Sequence, residues 1–266
     1  MPKLIIHLYA LCALSALCVK NNTAAEPPRE LRVVTYNIHH GEGTDGKLDL
    51  ERIAAVINAE KPDLVGLNEV DQGTNRTKQI DMPAELARLT GMTAVFEKNI
   101  DHDGGKYGNA ILSRLPIRRH ENHKLPSHYK GEQRGVLEIE VGAENAPPLI
   151  FLCTHLDYRP EDHERKASID VIEKIVARHP DVPTILVGDL NASPDSEVMQ
   201  TFVKHWTRSN LEPLSTFPSR KPEKQIDYIL VRPADRWELI ETRVLEEAVA
   251  SDHRGLIAVL RLKPAK

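Results

Sequence analysis

Short apolar runs and amphipathic stretches follow one another from Leu31 to Leu262. Leu31–Ile38 alternates apolar and polar positions, which predicts a strand. Leu48–Asn58 places Leu50, Ile53, Ala54 and Ile57 on one face with Asp49 near its start, which predicts a helix. Leu64–Val70 predicts a second short strand, entered through Pro62-Asp63, and Pro83–Thr90 a helix closed by Gly91. Thr93–Glu97, Gly108–Leu112, Val136–Val141 and Leu149–His155 predict further strands. Asp162–Ala177 predicts a helix with Ile169, Ile172, Ile175 and Val176 turned inward. Thr184–Gly188, Ile226–Val231 and Leu256–Leu262 complete the strands. No linker or internal repeat interrupts this order. It predicts one α/β domain with more strands than a simple doubly wound sheet needs.

The first residues follow a different pattern. Lys3 precedes an apolar run from Leu4 to Val19, and the small-residue stretch Thr23-Ala24-Ala25 comes next. This predicts a secretory signal peptide over 1–25, an exported chain (periplasmic or extracellular), and a domain over 26–266. The run is short for a ~30 Å hydrocarbon core, so no integral membrane segment is expected after cleavage. Cleavage would remove Cys12 and Cys18 and leave Cys153 alone in an apolar run, as a buried small hydrophobe. Asn21, Asn75 and Asn191 open glycosylation sequons, a weak match.

The 266 residues carry a formal charge of −4, with 28% charged, 41% hydrophobic and 5% aromatic side chains. That composition excludes fibrous, low-complexity and polytopic membrane classes. It also lacks the basic surplus of a protein that lives on duplex binding.

Gly41-Glu42-Gly43-Thr44-Asp45-Gly46 matches a dinucleotide-binding pattern between a strand and a helix. Glu42, Asp45 and Asp49 would sit where two phosphates should dock, and the repulsion argues against that reading.

The chemistry gathers where apolar strands end. Asn37, Asn68-Glu69, Thr154-His155-Leu156-Asp157, Asp189-Leu190-Asn191 and Ser251-Asp252-His253 flank five such strands. Each alone is an ordinary turn or cap; five together are not. Glu69, Asp189 and Asp252 offer carboxylates, Asn37 and Asn191 amides, and no cysteine joins them. Hard oxygen donors suit Mg2+, Mn2+ or Ca2+. His253 is a candidate base or phosphate donor, with Asp227 to fix its tautomer.

The ordered set Thr-Tyr-Asn-Ile (35–38), Asn-Glu-Val (68–70), Tyr-Gly-Asn-Ala-Ile-Leu-Ser-Arg (107–114), Thr-His-Leu-Asp (154–157), Gly-Asp-Leu-Asn-Ala-Ser-Pro (188–194), Ile-Asp-Tyr-Ile (226–229) and Ser-Asp-His-Arg (251–254) resembles the endonuclease/exonuclease/phosphatase superfamily. The resemblance spans residues 31–262. It implies an α/β fold of four layers, a sandwich of two stacked mixed sheets flanked by helices. It implies Glu69 as principal metal ligand with Asn37 beside it, Asp252 as a second metal-side carboxylate, and Mg2+ or Mn2+ as the ion. Asp189 would orient or deprotonate the attacking water, and Asn191 would hold that water or a phosphate oxygen. His253, oriented by Asp227, would face the scissile phosphate, and His155 would be a transition-state donor. Whether Asp189 or His253 takes the proton is open.

Substrate contacts are expected from Arg134, Asn109 and Tyr107, with Arg159, Lys106 and Arg76 as further candidate phosphate contacts. Arg165 opens a helix and is expected to pack or to pair with Glu161 four residues earlier. His39, His40, His102, His120, His123, His128 and His163 have no spacing that demands a metal and read as surface residues. Two departures bear on substrate. Asn68 stands where the family commonly has Gln, and Glu223-Lys224-Gln225 brings no aromatic wall before Ile226-Asp227-Tyr228. The polar loop Lys98–Lys106 gives no hairpin for docking on a lipid bilayer.

These residues predict an exported, monomeric, metal-dependent phosphohydrolase acting on a phosphodiester or phosphomonoester. Secreted nuclease activity is an alternative, with nucleic acid not the favoured partner. The rival of another class is a non-catalytic binding module. Intact Glu69, Asp189, Asn191, Asp227, Asp252 and His253 argue against it.

Overall fold

A computed structural model describes residues 29–129, 131–143 and 147–264. The signal segment expected over 1–25 lies outside the described residues.

Twelve described strands form two sheets of six. The first holds β1 (Arg29–Asn37), β2 (Leu64–Gln72), β3 (Thr93–His102), β4 (Gly105–Ser113), β11 (Trp237–Val244) and β12 (Leu256–Leu262), in the order β11-β12-β1-β2-β4-β3. The second holds β5 (Ile117–Lys124), β6 (Gly135–Val141), β7 (Leu149–His155), β8 (Thr184–Asp189), β9 (Thr207–Arg208) and β10 (Asp227–Arg232), in the order β5-β6-β7-β8-β10-β9. Each sheet has one parallel pair, β1 with β2 and β7 with β8, and is otherwise antiparallel.

Strand periodicity builds the layers. Val33, Leu64 and Ile111 of the first sheet pack against Phe151, Cys153, Ile185 and Val187 of the second in one apolar cluster. The alternate residues Val34, Tyr36, Val65 and Leu67 face α1 (Leu50–Glu60) and α2 (Met82–Thr90). Ile150, Leu152 and Leu186 face α3 (His163–Val176) and α4 (Glu197–Phe202). The result is a four-layer sandwich with its main core between the sheets. Gly66 marks how closely they approach. A Cβ there would lie 2.2 Å from a Val187 methyl and 3.0 Å from Cys153 Sγ.

The helix boundaries follow local chemistry. Asp49 accepts from Arg52 N–H (2.9 Å) and caps α1, which Lys61 ends in the left-handed region before Pro62. Asp45 and Asp49 both pair with Arg52, so the glycine-bearing loop 41–46 meets a guanidinium from its own helix. Asp81 caps α2 and Gly91 closes it.

Four elements lack a sequence signal. β5 reads Ile-Arg-Arg-His-Glu-Asn-His-Lys; it is an edge strand held by Arg118 and Arg119 to Glu138 and Glu140 of β6 rather than by burial. β11 is likewise an edge, and α4 and β9 are too short for periodicity to show. The stretch Lys98–Lys106 is no loop. It is the tip of the β3–β4 hairpin, whose register runs to His102 opposite Gly105. Among the described residues no helix is long and apolar enough to cross a membrane.

Candidate active site

The C-terminal ends of the parallel pairs of both sheets meet at one end of the sandwich. Asn37, at the end of β1, donates from Nδ2 to Glu69 (2.9 Å) and to Asp189 (3.2 Å), and so links the sheets. Its Oδ1 accepts His39 N–H (3.1 Å). Asn37, expected as a metal ligand, thus accepts one hydrogen bond at its oxygen and spaces two carboxylates with its amide.

Asn68 is the hub beneath them, fully buried. Its Oδ1 accepts Asp189 N–H (2.9 Å), and its Nδ2 donates to Asn109 Oδ1 and the Thr154 carbonyl, each at 3.0 Å. Asn109 in turn donates to the Gly135 carbonyl (3.1 Å). Both ends of the Asn109 amide are thus engaged inside the protein, and it does not line the cavity, which corrects its assignment as a substrate contact. The register of β2 against β4 slips between Leu67 and Val70, and Glu69 sits at φ +58. This bulge breaks the alternation and turns Glu69 into the cavity.

The cavity, of about 820 Å³, is lined by Glu69, Asp189, Asn191, Asp252 and His253 together with Arg134, Glu132, His155, Tyr107 and Tyr158. Asp227, directly opposite Asp189 in the β8–β10 register, is fully buried behind it. Its Oδ2 accepts from Thr216 Oγ1 (2.6 Å) and lies 2.9 Å from His253 Nδ1. His253 Nε2 is then 3.7 Å from Asp189 Oδ2, and His155 Nε2 is 3.5 Å from the same oxygen. Ser251 fixes the approach, donating to the Asn37 carbonyl (2.7 Å) and accepting His253 N–H (3.2 Å). Asp189 Oδ1 accepts Asn191 N–H (3.0 Å), and Asn191 Nδ2 donates to the Leu156 carbonyl (3.1 Å).

These environments separate the protonation states. Burial alone would lower the His253 pKa, but the charge and hydrogen bond of Asp227, with the charges of Asp189 and Asp252, raise it to about 10. Burial and the Asp227 charge push the Asp189 carboxyl up. Burial, aided by Arg134 and His253, holds His155 well below its usual value, so its imidazole is neutral near pH 7. Burial raises Glu132, against the pull of Arg134 at 2.5 Å.

The donor set fits a divalent cation. Five carboxylates, those of Glu69, Glu132, Asp189, Asp227 and Asp252, converge on or behind one cavity. Asp227 Oδ1 is buried without a hydrogen-bond partner, and Glu69 is hydrogen-bonded, among the described residues, only by Asn37. Asp189 and Asp227 are buried and Glu69, Glu132 and Asp252 half-buried, and oxygen donors gathered this way suit a hard cation. Asp252 borders the cavity but belongs to none of the three described side-chain groups close enough to share an ion.

The remaining candidate cations are neutralised within the protein. Arg76 binds Asp71 (2.7 Å) above the Tyr107 ring, and Arg159 pairs with Asp157 and Glu164. Lys106 lies exposed at the start of β4, outside the cavity lining. Arg165 does not pair with Glu161. It is buried and donates to the carbonyls of Asp157, Arg159 and Pro160, so it holds the loop that carries Tyr158. Sequence reasoning missed Glu132, Tyr158 and Phe217. Phe217 supplies the aromatic neighbour absent from 223–225, its ring 4.8 Å from that of His253. Its distance in sequence from Ile226-Asp227-Tyr228 hid it.

The comparisons bear on the family and the fold. A family model described as "Endonuclease/Exonuclease/phosphatase family" matches residues 34–253. The uncharacterized protein YbhP of Escherichia coli strain K12 is 28% identical over 251 residues, covering 87% of this chain and 96% of its own. The crystal structure of an endonuclease/exonuclease/phosphatase from Beutenbergia cavernae is 28% identical with a TM-score of 0.70, over 89% of this chain and 72% of that one. The fold is also that of the mannosyl-6-phosphatase Bt3783 of Bacteroides thetaiotaomicron, at 20% identity and a TM-score of 0.71, over 86% and 99% of the two chains.

Proposed function

The chain belongs to the endonuclease/exonuclease/phosphatase family, whose members hydrolyse phosphoric esters, and from that premise we propose that it is an exported, divalent-metal-dependent hydrolase of a small phosphate ester. The observation that carries the reading is the buried Asp227–His253 pair facing Asp189 across 3.7 Å beside Glu69. Export rests on the segment 1–25.

The roles follow from the protonation states. His253 is cationic near neutral pH, so it donates from Nε2 to a phosphate oxygen and is no base. Asp189, with its pKa raised, accepts the proton of the attacking water. The Asn191 N–H and Asn37 hold its two oxygens in place. Neutral His155 and the buried Arg134 stabilise charge on the equatorial oxygens. Glu69, with Asp252 bordering the same cavity, would hold a divalent ion, which would supply positive charge to the phosphate oxygens. Asn37 and Asn68 position these groups from behind.

A small substrate is favoured over a polynucleotide by the cations. Arg76, Arg134 and Arg159 each face a carboxylate, which leaves Lys224 as a single lysine or arginine cation of the cavity lining to meet a phosphate backbone. The test is turnover by residues 26–266 of bis-p-nitrophenyl phosphate, p-nitrophenyl phosphate and single-stranded DNA, with Mg2+, Mn2+ or EDTA. Metal-dependent release of nitrophenol that is lost in Glu69→Gln and His253→Ala is the expected result. Turnover equal in EDTA, or undiminished in either variant, would overturn the mechanism. Faster hydrolysis of DNA than of both small esters would overturn the substrate class.

A further inference from the structure

Beside the cavity, on the far side of Glu69, the turn after β1 carries two histidines that the mechanism does not use. A nitrogen of His39, a nitrogen of His40 and a carboxylate oxygen of Glu69 all lie within 4.8 Å of one another. We infer that His39, His40 and Glu69 form a second, transition-metal site that shares Glu69 with the hydrolytic centre. It rests on the proposed function only through Glu69.

Three observations carry it. First, Glu42 addresses one nitrogen of each ring. Its carbonyl is 3.1 Å from His39 Nδ1, and its carboxylate is 3.7 Å from His40 Nε2. Ligating histidines are commonly held this way, by a carbonyl or carboxylate on the nitrogen that does not bind metal. The nitrogens left over are His39 Nε2 and His40 Nδ1. Second, His40 Nδ1 is buried and has no hydrogen-bond partner, an arrangement that costs free energy unless something binds there. Third, all three residues sit in the left-handed region, at φ +45, +42 and +58, in a structure that holds them there. The nearby guanidinium of Arg76 is already matched by Asp71.

Two imidazoles and one carboxylate favour a borderline ion such as Zn2+ or Co2+ over Mg2+, and three protein ligands leave a position open for water or substrate. Of the two other histidine-bearing carboxylate groups among the described residues, Asp189, Asp227 and His253 belong to the hydrolytic centre, and Glu121, His123 and Glu138 differ. His123 and Arg119 already satisfy Glu138 there.

The test uses Co2+ as the probe, with the full mature chain and no substrate. Equilibrium dialysis gives the number of ions bound, and the visible absorption spectrum reports imidazole coordination. The expected result is one Co2+ per chain more in the wild type than in His39→Asn/His40→Asn, with a d–d band from imidazole coordination that this variant loses. Asparagine tolerates the left-handed backbone, so this variant should keep its fold, checked by its metal-free melting temperature. Glu42→Gln, which changes no ligand, should weaken Co2+ binding about tenfold or more. His253→Ala should keep the band, which separates this site from the hydrolytic reading: a wild-type protein that shows the band but hydrolyses none of the esters would sink that reading and leave the second site standing. Equal Co2+ stoichiometry and spectrum in wild type and the double variant would overturn the inference.

Discussion

Replacing Asp227 by asparagine removes a charge and keeps a shape. The carboxylate is fully buried and holds His253 Nδ1 at 2.9 Å and the Thr216 hydroxyl at 2.6 Å. A hydrogen bond to a charged group contributes about 1.5–3 kcal/mol, which corresponds to about one to two pKa units. Once its charge is gone, burial again weighs against the imidazolium, and His253 titrates that much below the value of about 10 it has in the native protein. As the cationic donor, His253 sets the alkaline limit of turnover. The Asp227→Asn protein should lose about ten- to a hundredfold in kcat/KM, and its alkaline limb should move down by about one to two pH units. The folded pKa lies above the unfolded value of 6.5, so the stabilisation is complete below about 6.5 and disappears as pH rises to about 10. The difference in melting temperature between the two proteins should therefore be largest in mild acid and shrink toward pH 10. A kcat/KM profile, imidazole resonances followed by NMR, and thermal melts across that window check all three. An alkaline limb at the same pH in both proteins, with a pH-independent difference in melting temperature, would refute the assignment of His253 as the cation.

Asn68→Ala strands three buried partners, Asp189 N–H, Asn109 Oδ1 and the Thr154 carbonyl. It should cost about 3 kcal/mol or more in urea unfolding and lower kcat through a misplaced Asp189. Gly66→Ala forces a methyl into Val187 between the sheets; overpacking of this kind costs about 1–3 kcal/mol, read as a drop in melting temperature of several degrees. Arg165→Met releases the carbonyls of Asp157, Arg159 and Pro160. It should raise KM more than it lowers kcat, because the freed loop carries Tyr158 and none of the groups that move a proton.

Legibility in the sequence tracked burial. Strands buried on both faces, such as β7 and β8, read as continuous apolar runs, and helices with one apolar stripe read by their period. β5 and β11 failed because an edge strand needs only one neighbour and is kept polar to prevent unwanted pairing. The charges that hide β5 from an apolar pattern, on Arg118 and Arg119, are those that fasten it to β6.

The site was legible in kind and less so in role. Glu69, Asp189, Asn191, Asp252 and His253 stood out because each closes or precedes an apolar strand, and the fold brings all five to the lining of one cavity. What a one-dimensional pattern lacks is the direction of each polar atom. Asn37 and Asn109 carry donors and acceptors in equal number, and nothing in their neighbours along the chain says which will be taken internally. That is decided by contacts far away in sequence: Asn37 by Asp189, and Asn109 by Asn68 and Gly135. The same limit hid His39 and His40. Adjacent histidines carry no metal-binding period, and it is the bulge at Glu69, set by a slipped register with β4, that brings the Glu69 carboxylate to them. Where the ligands of a site come from two turns on neighbouring parallel strands, their spacing in sequence is the length of the crossover between those strands, and it carries the chemistry of neither turn.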